Sequence, residues 1–212
     1  MKNRLLLLAI ASLAPLCGEL SAQVSVTGRI EPVAAPPACA PGATHRIADT
    51  DVHLFSSTVD LTAVSTITQV FSGADVGAPG CPLLDVASVT PSKFTLFPCN
   101  TTGLGCTFTL DQCPSPTQGA FAIAGSLNGG YAPLGASGTI LLDLGAFFPV
   151  ASGVQTAVCQ SSPITISGPT SLIGTDVRVQ AVSIDAIGTL SLSNVAVITV
   201  APAGGCTSFA CY

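Results

Sequence analysis

The chain has 212 residues, of which 48% are hydrophobic and only 8% are charged, and its formal net charge is −5. The acidic residues are scattered and the basic residues form no patch, which disfavours nucleic acid and anionic lipid as partners. A surface so poor in charge is typical of an extracellular domain that is stabilised by sheet pairing and cross-links.

The N-terminus has the pattern of a secretory signal peptide. Lys2 and Arg4 precede an apolar run over residues 5–14, which is too short to span a bilayer. Small residues follow, and they predict cleavage after Ala22. We therefore expect residues 1–22 to be removed and the protein to be secreted or held at the cell surface. No later apolar run approaches the roughly 18 residues that a membrane span needs.

Eight of the nine cysteines remain once the signal peptide is removed, because Cys17 lies within it. Lipid modification of Cys17 is disfavoured, since Leu16 stands where a small residue is expected. An even cysteine count in an exported chain predicts four disulfides, although the spacing does not determine the pairs. A zinc site is the weaker alternative, because no Cys-x-x-Cys pair occurs. The eight cysteines are Cys39, Cys81, Cys99, Cys106, Cys113, Cys159, Cys206 and Cys211.

A Pro-rich N-terminal arm is predicted over residues 23–44. Residues 23–30 alternate like a first strand, and residues 31–42 contain four prolines, which exclude a helix or a central strand. We expect residues 31–42 to form an extended connector that is tethered by Cys39.

Ionisable residues first cluster in the stretch HRIADTDVHL, which begins at His45. In a strand, its two histidines and two aspartates would point to one side and offer ligands for a divalent metal. His45 and His53 would then lie about 26 Å apart, so both cannot bind one ion without a bend. Asp49 and Asp51 alone form a candidate calcium site. The alternatives are a turn at residues 48–51 or a solvated strand face.

Alternating runs predict a β-sandwich over residues 45–201. We expect one long bent strand or two strands over residues 58–72. Shorter strands are predicted at residues 83–89, 93–97, 106–110, 120–127, 138–145 and 155–159. The stretch at residues 114–119 is a possible sub-boundary, and a Gly- and Cys-containing tail covers residues 202–212. Since five of the eight cysteines precede this boundary and three follow it, full pairing requires a bridge across it.

Asn100 begins Asn-Thr-Thr, a formal glycosylation acceptor whose use the sequence does not decide.

The clearest element is a β-hairpin within residues 164–200, with its turn at residues 185–188. One face of its first arm holds Val177, Val179 and Ala181, and the other holds Asp176, Arg178 and Gln180. In the second arm, one shared face is expected for Leu190, Leu192, Ala196, Ile198 and Val200. An outward position is expected for Thr189, Ser191, Ser193 and Thr199.

Several short motifs carry a resemblance to a known kind of module. They are Leu172-Ile173-Gly174, Val177-Arg178-Val179-Gln180-Ala181, Asp185 and Leu190-Ser191-Leu192-Ser193-Asn194, with GYAPLGASGTILLDL before them. Through these motifs, residues 120–200 resemble a C-terminal β module of uncharacterised secreted proteins from planctomycete-type bacteria. The resemblance implies an exported β domain and carries no activity, and it does not extend to the residues before it.

These patterns predict an all-β fold, a disulfide-stapled β-sandwich of jelly-roll or immunoglobulin-like type, with little helix outside the signal peptide. The sequence contains neither a Gly-x-Ser-x-Gly nor a His-Glu-x-x-His motif, so we expect no catalytic residues and no enzyme activity.

We expect an exported structural or interaction protein whose partner is an extracellular protein or glycan. Edge strands rich in Thr and Val suit partner binding by strand addition. The alternative is an extracellular module that binds carbohydrate or calcium, and no other cofactor is expected. Aromatic platforms for sugar are scarce, since the chain has no Trp and only Tyr131 lies within its body.

Overall fold

The computed structural model describes residues 23–97, 101–113, 119–155 and 159–203, apart from the side chains of residues 108, 112 and 113. The described chain is all-β, which confirms the predicted fold class. Its strands are β1 (Gln23–Gly28), β2 (Ile30–Pro32), β3 (His45–Ile47), β4 (His53–Phe55), β5 (Gln69–Asp75), β6 (Leu83–Pro91), β7 (Thr95–Phe97), β8 (Thr101–Gly103), β9 (Thr107–Cys113), β10 (Ala120–Ser126), β11 (Gly129–Pro133), β12 (Thr139–Leu142), β13 (Phe148–Val154), β14 (Gln160–Thr165), β15 (Asp176–Ile184), β16 (Leu190–Leu192) and β17 (Ala196–Ala201). Within the described residues there are three short 3-10 helices, at Leu61–Ala63, Gly135–Ser137 and Thr170–Leu172. None of the described helices is long and apolar enough to cross a membrane.

The first sheet has the strand order β1-β5-β6-β4-β3-β2. Its neighbours are antiparallel, apart from the parallel β4–β6 pair. The β11–β12 hairpin packs beside β1, where the Thr139 hydroxyl donates a 2.7 Å hydrogen bond to the Ser25 carbonyl. The first core lies here and includes Val26, Leu54, Phe71, Leu84, Val86 and Leu141.

The second sheet has the order β13-β10-β15-β17-β8, with β16 also paired to β15. A three-stranded sheet, β14-β9-β7, contributes to the same core. That second core includes Phe94, Leu96, Leu110, Phe121, Ile123, Val177, Val179, Ala181 and Ile198. Stacked sheets around buried apolar side chains give the predicted sandwich-like arrangement.

The closing hairpin divides its apolar residues between the two cores. The predicted buried face of β15 is confirmed, but β16 packs on the first core and β17 lies in the second. Val182 pairs with Leu192 and Val179 pairs with Ala196. The opposing chain therefore advances by four residues, from Leu192 to Ala196, where β15 advances by three. This one extra residue places the side chains that follow it on the opposite face of the sheet. The expectation of one shared face from Leu190 to Val200 is therefore wrong.

The same irregularity buries polar side chains. Ser193 was expected to face outward, but it is fully buried. Its Oγ accepts a hydrogen bond from the Ala181 N–H at 2.9 Å and donates one to the Asn194 carbonyl at 2.8 Å. The Asn194 side chain pairs with both backbone groups of Leu96, at 2.9 and 3.2 Å. Asn194 thus attaches β7 as a neighbouring strand would.

Several stretches differ from the predicted strands. β8, β11 and β14 were not expected, and residues 155 and 159, the described ends of the strand expected over residues 155–159, lie outside any strand. The strand expected over residues 58–72 is wrong before Gln69, where β5 begins. In the earlier part, Asp60 caps a 3-10 helix by accepting a 3.0 Å hydrogen bond from the Thr62 N–H. β13 was not predicted, because Pro149 and Gly153 are unfavourable in strands. Both residues are tolerated because β13 is the edge of its sheet and carries a bulge.

The Cys39–Cys81 disulfide joins the Pro-rich connector to the loop before β6. Cys106 and Cys159 are also disulfide-bonded. The remaining predicted disulfide cysteines lie outside the described side chains: Cys99, Cys113, Cys206 and Cys211. The predicted signal peptide, Asn100 and most of the tail also lie outside the described residues.

Candidate functional site

Asp49 and Asp51 lie in the turn between β3 and β4. The predicted alternative, a turn at residues 48–51, is confirmed. Thr50 stabilises this turn, because its hydroxyl donates a hydrogen bond to the Ile47 carbonyl at 2.9 Å and accepts one from the Val52 N–H at 3.2 Å. Asp49 has a φ of 63°, a left-handed conformation that aspartate tolerates better than most residues.

The environment of the two aspartates supplies few further ligands. Asp49 forms a 3.8 Å ion pair with Arg29, and both side chains are largely exposed. Asp51 forms neither an ion pair nor a hydrogen bond within the described chain. Among the residues that the structure describes, no three His, Cys, Asp or Glu side chains are grouped to hold a metal. Calcium binding by Asp49 and Asp51 stays a prediction.

His45 is buried in β3, where its Nδ1 lies 3.0 Å from the Thr44 hydroxyl. Burial lowers the pKa of His45 from its ordinary value of about 6.5, and the negative charge of Asp60 offsets part of this shift. The unfolded chain therefore binds the proton more readily than the folded chain. The stability that neutral His45 contributes is complete above about pH 6.5 and is lost as the pH falls towards the lower, folded pKa.

We expect the melting temperature to decline as the pH falls below about 6.5, and the substitution His45→Gln to reduce this decline. Circular dichroism melts across the pH range measure the effect. His53→Gln is the matched control, because it removes the other imidazole and leaves His45 in place. Equal declines in the wild type and in His45→Gln would contradict this role for His45.

A cleft of about 570 Å³ opens beside the Asp49–Asp51 turn. Three segments line it: residues 49–52, part of the loop at residues 75–82, and residues 129–131. Leu141 and Arg178 complete the lining. The cleft thus lies where the first sheet meets the β11–β12 hairpin and β15.

Tyr131 links the cleft to the first core, against which its ring packs. Its hydroxyl is buried and lacks a well-aligned hydrogen bond within the described residues. Burial raises the pKa of Tyr131, and the Asp75 carboxylate adds to this rise. Tyr131 is therefore neutral at physiological pH, and Asp75 is the acidic group that influences its hydroxyl.

Arg178 supplies the positive charge of the cleft. Its Nη1 donates a 3.3 Å hydrogen bond to the Leu127 carbonyl, and its stem passes Gly129. Within the described residues, Arg178 forms no ion pair with a carboxylate. Most of its five N–H donors are therefore available to a molecule in the cleft.

Exposed apolar side chains lie along β13, the edge strand of the second sheet, and in the two loops near its beginning. We call this group the edge patch, and its exposed members are Leu127, Leu144, Phe147 and Phe148; Val154 is also exposed but lies at the opposite end of β13, where it pairs with Ala120. Phe148 packs over Gly125, and the Asn128 carbonyl accepts a hydrogen bond from the Asp143 N–H at 3.3 Å. These contacts bring the two loops of the patch together.

Sequence patterns did not group the residues of the cleft. Asp75, Tyr131 and Arg178 are separated by about fifty residues each, and only packing of the sheets brings them together. The edge patch did have a local signal, the Phe147-Phe148 pair, which was assigned to no strand.

Comparison with models of known protein families gave no match, and neither did comparison with curated proteins. The resemblance of residues 120–200 to a secreted planctomycete module stays a prediction.

Proposed function

We propose that the chain is an exported structural or interaction protein of the cell surface or extracellular space, without catalytic activity. The observation that supports this proposal is the edge patch. Isolated apolar side chains are common on protein surfaces, but several exposed apolar residues in neighbouring segments at a sheet edge are typical of an interaction site.

The partner that best fits the edge patch is a second copy of this chain. Residues 144–155 contain no charged side chain, whereas the chain after removal of residues 1–22 carries four basic and ten acidic residues. Two copies would repel each other over much of their acidic surface, but would meet without repulsion at this neutral edge. Pro149 and the bulge limit strand addition, so apolar contacts supply most of the attraction.

Substitution Leu144→Lys is expected to abolish self-association, because it places a charge in the patch of each copy. Leu144 is 48% exposed in a turn where the Asp143 carboxylate accepts a hydrogen bond from the Gly145 N–H, so the fold should tolerate the change. Sedimentation velocity at increasing concentration measures the association.

The matched control is Ile187→Lys. Ile187 is 88% exposed in a similar turn, where the Asp185 carboxylate accepts a hydrogen bond from the Ile187 N–H, but it lies outside the patch. We expect this variant to associate like the wild type. A wild-type chain that stays monomeric at its solubility limit would contradict the self-association proposal.

A further inference from the structure

We propose that the cleft between the Asp49–Asp51 turn and Arg178 binds an uncharged saccharide. The cleft adjoins the edge patch where Arg178 contacts the Leu127 carbonyl, but the inference does not depend on self-association. It rests on the size of the cleft, on the chemistry of its walls and on the polar groups there that lack partners.

The size of the cleft suits a small organic ligand. Its volume of about 570 Å³ lies within the range of roughly 300 to 1,000 Å³ that is usual for such sites. Half-buried Tyr131 and exposed Pro79 give it apolar surface, whereas Leu141 and Pro82 form its buried base. Ring faces of a sugar can pack on such side chains while its hydroxyls remain free to form hydrogen bonds.

The cleft presents acceptors and donors together. Asp51 and Asp75 offer carboxylate oxygens, and Asp75 uses one of them to accept a 3.0 Å hydrogen bond from the Gly77 N–H. Arg178 offers a planar set of N–H donors. A hydroxyl group both donates and accepts, so a molecule with several hydroxyls can satisfy both kinds of group at once.

The charges of the cleft favour an uncharged ligand. An anionic ligand would face three aspartates and one arginine, and would be repelled on balance. A compact cation would be drawn to the aspartates but would leave the Arg178 donors without an acceptor. A neutral polyol needs no charge of its own, since its hydroxyls can donate charge-assisted hydrogen bonds to the aspartates and accept them from Arg178.

Two glycines of the cleft wall lie against neighbouring backbone. A Cβ at Gly130 would collide with the Leu142 carbonyl, and a Cβ at Gly77 would collide with backbone atoms of Cys81 and Leu83. Glycine at both positions therefore lets these segments pack tightly while adding no side chain to the cleft.

The test uses the full chain, exported by an oxidising host, on immobilised oligosaccharides of three kinds: neutral hexose and pentose chains, uronic-acid chains and amino-sugar chains. Titration calorimetry then measures the affinity of the oligosaccharides that bind. We expect binding to be confined to neutral chains and to weaken at least about tenfold in Arg178→Gln.

Two further variants separate binding from folding. Asp51→Asn changes an exposed carboxylate without partners, so the melting temperature should be unchanged while affinity for the neutral chain falls. Arg46→Gln is the matched control for Arg178→Gln, because Arg46 pairs with Glu31 outside the cleft and should leave affinity unchanged.

Three results would overturn the proposal. They are no binding to any neutral oligosaccharide at millimolar concentration, binding restricted to the uronic-acid or amino-sugar chains, and neutral-chain affinity that neither Asp51→Asn nor Arg178→Gln alters. If Arg178→Gln fails to fold, Asp51→Asn alone decides the outcome.

Discussion

The substitution Gln180→Met should lower the free energy of unfolding by about 3 kcal/mol, because it removes three buried hydrogen bonds at once. The Gln180 side chain is only 4% exposed. Its Nε2 donates to the carbonyls of Thr139 and Ser193, at 3.0 and 2.9 Å. Its Oε1 accepts from the Leu141 N–H at 2.9 Å. One side chain thus joins β15 to β12 and to the irregularity that follows β16.

Methionine has nearly the shape of glutamine, so the variant removes hydrogen bonds without leaving a large cavity. Each backbone group that loses its partner stays buried, and such a group costs about 1 to 3 kcal/mol. Denaturant unfolding with linear extrapolation measures the change. Gln23→Met makes the same replacement at an exposed position and should have almost no effect. A loss below about 1 kcal/mol in Gln180→Met would show that other groups replace these hydrogen bonds.

Period-two alternation was sufficient to predict the core face of β15, because Val177, Val179 and Ala181 belong to an uninterrupted strand. The same rule was wrong beyond Leu192. A single extra residue moves every later side chain to the opposite face, and the sequence gives no separate sign of that residue. Ser193 is buried for this reason, although its spacing predicted exposure.

The Asp49–Asp51 turn was within reach of sequence reasoning, because turn chemistry is local. The rest of the cleft was not. Asp75 ends β5 of the first sheet, whereas Arg178 belongs to β15 of the second, and their meeting depends on how the sheets stack. The edge strand β13 was missed for another reason, since Pro149 argues against a central strand but is allowed at an edge.

Removal of the Cys39–Cys81 disulfide, by changing both cysteines to alanine, should lower the free energy of unfolding by about 4 kcal/mol. The two cysteines lie 42 residues apart in the sequence. Closing a loop of this length strongly restricts the unfolded chain, and that restriction disappears in the variant. Cys81 is also buried with Ala40 and Ala43, so the change removes apolar contacts as well.

The same variant should affect the cleft, because Cys81 lies between Gly80 and Pro82 in its wall. The local turn keeps its hydrogen bond from the Cys81 N–H to the Ala78 carbonyl, at 2.9 Å, but loses its link to the Pro-rich connector. Amide hydrogen exchange should therefore accelerate in residues 76–82 and in the connector before it does so in β15. Denaturant unfolding of the same samples gives the global stability. Unchanged exchange in residues 76–82, together with a loss of less than about 1 kcal/mol, would mean that sheet pairing alone holds this wall of the cleft.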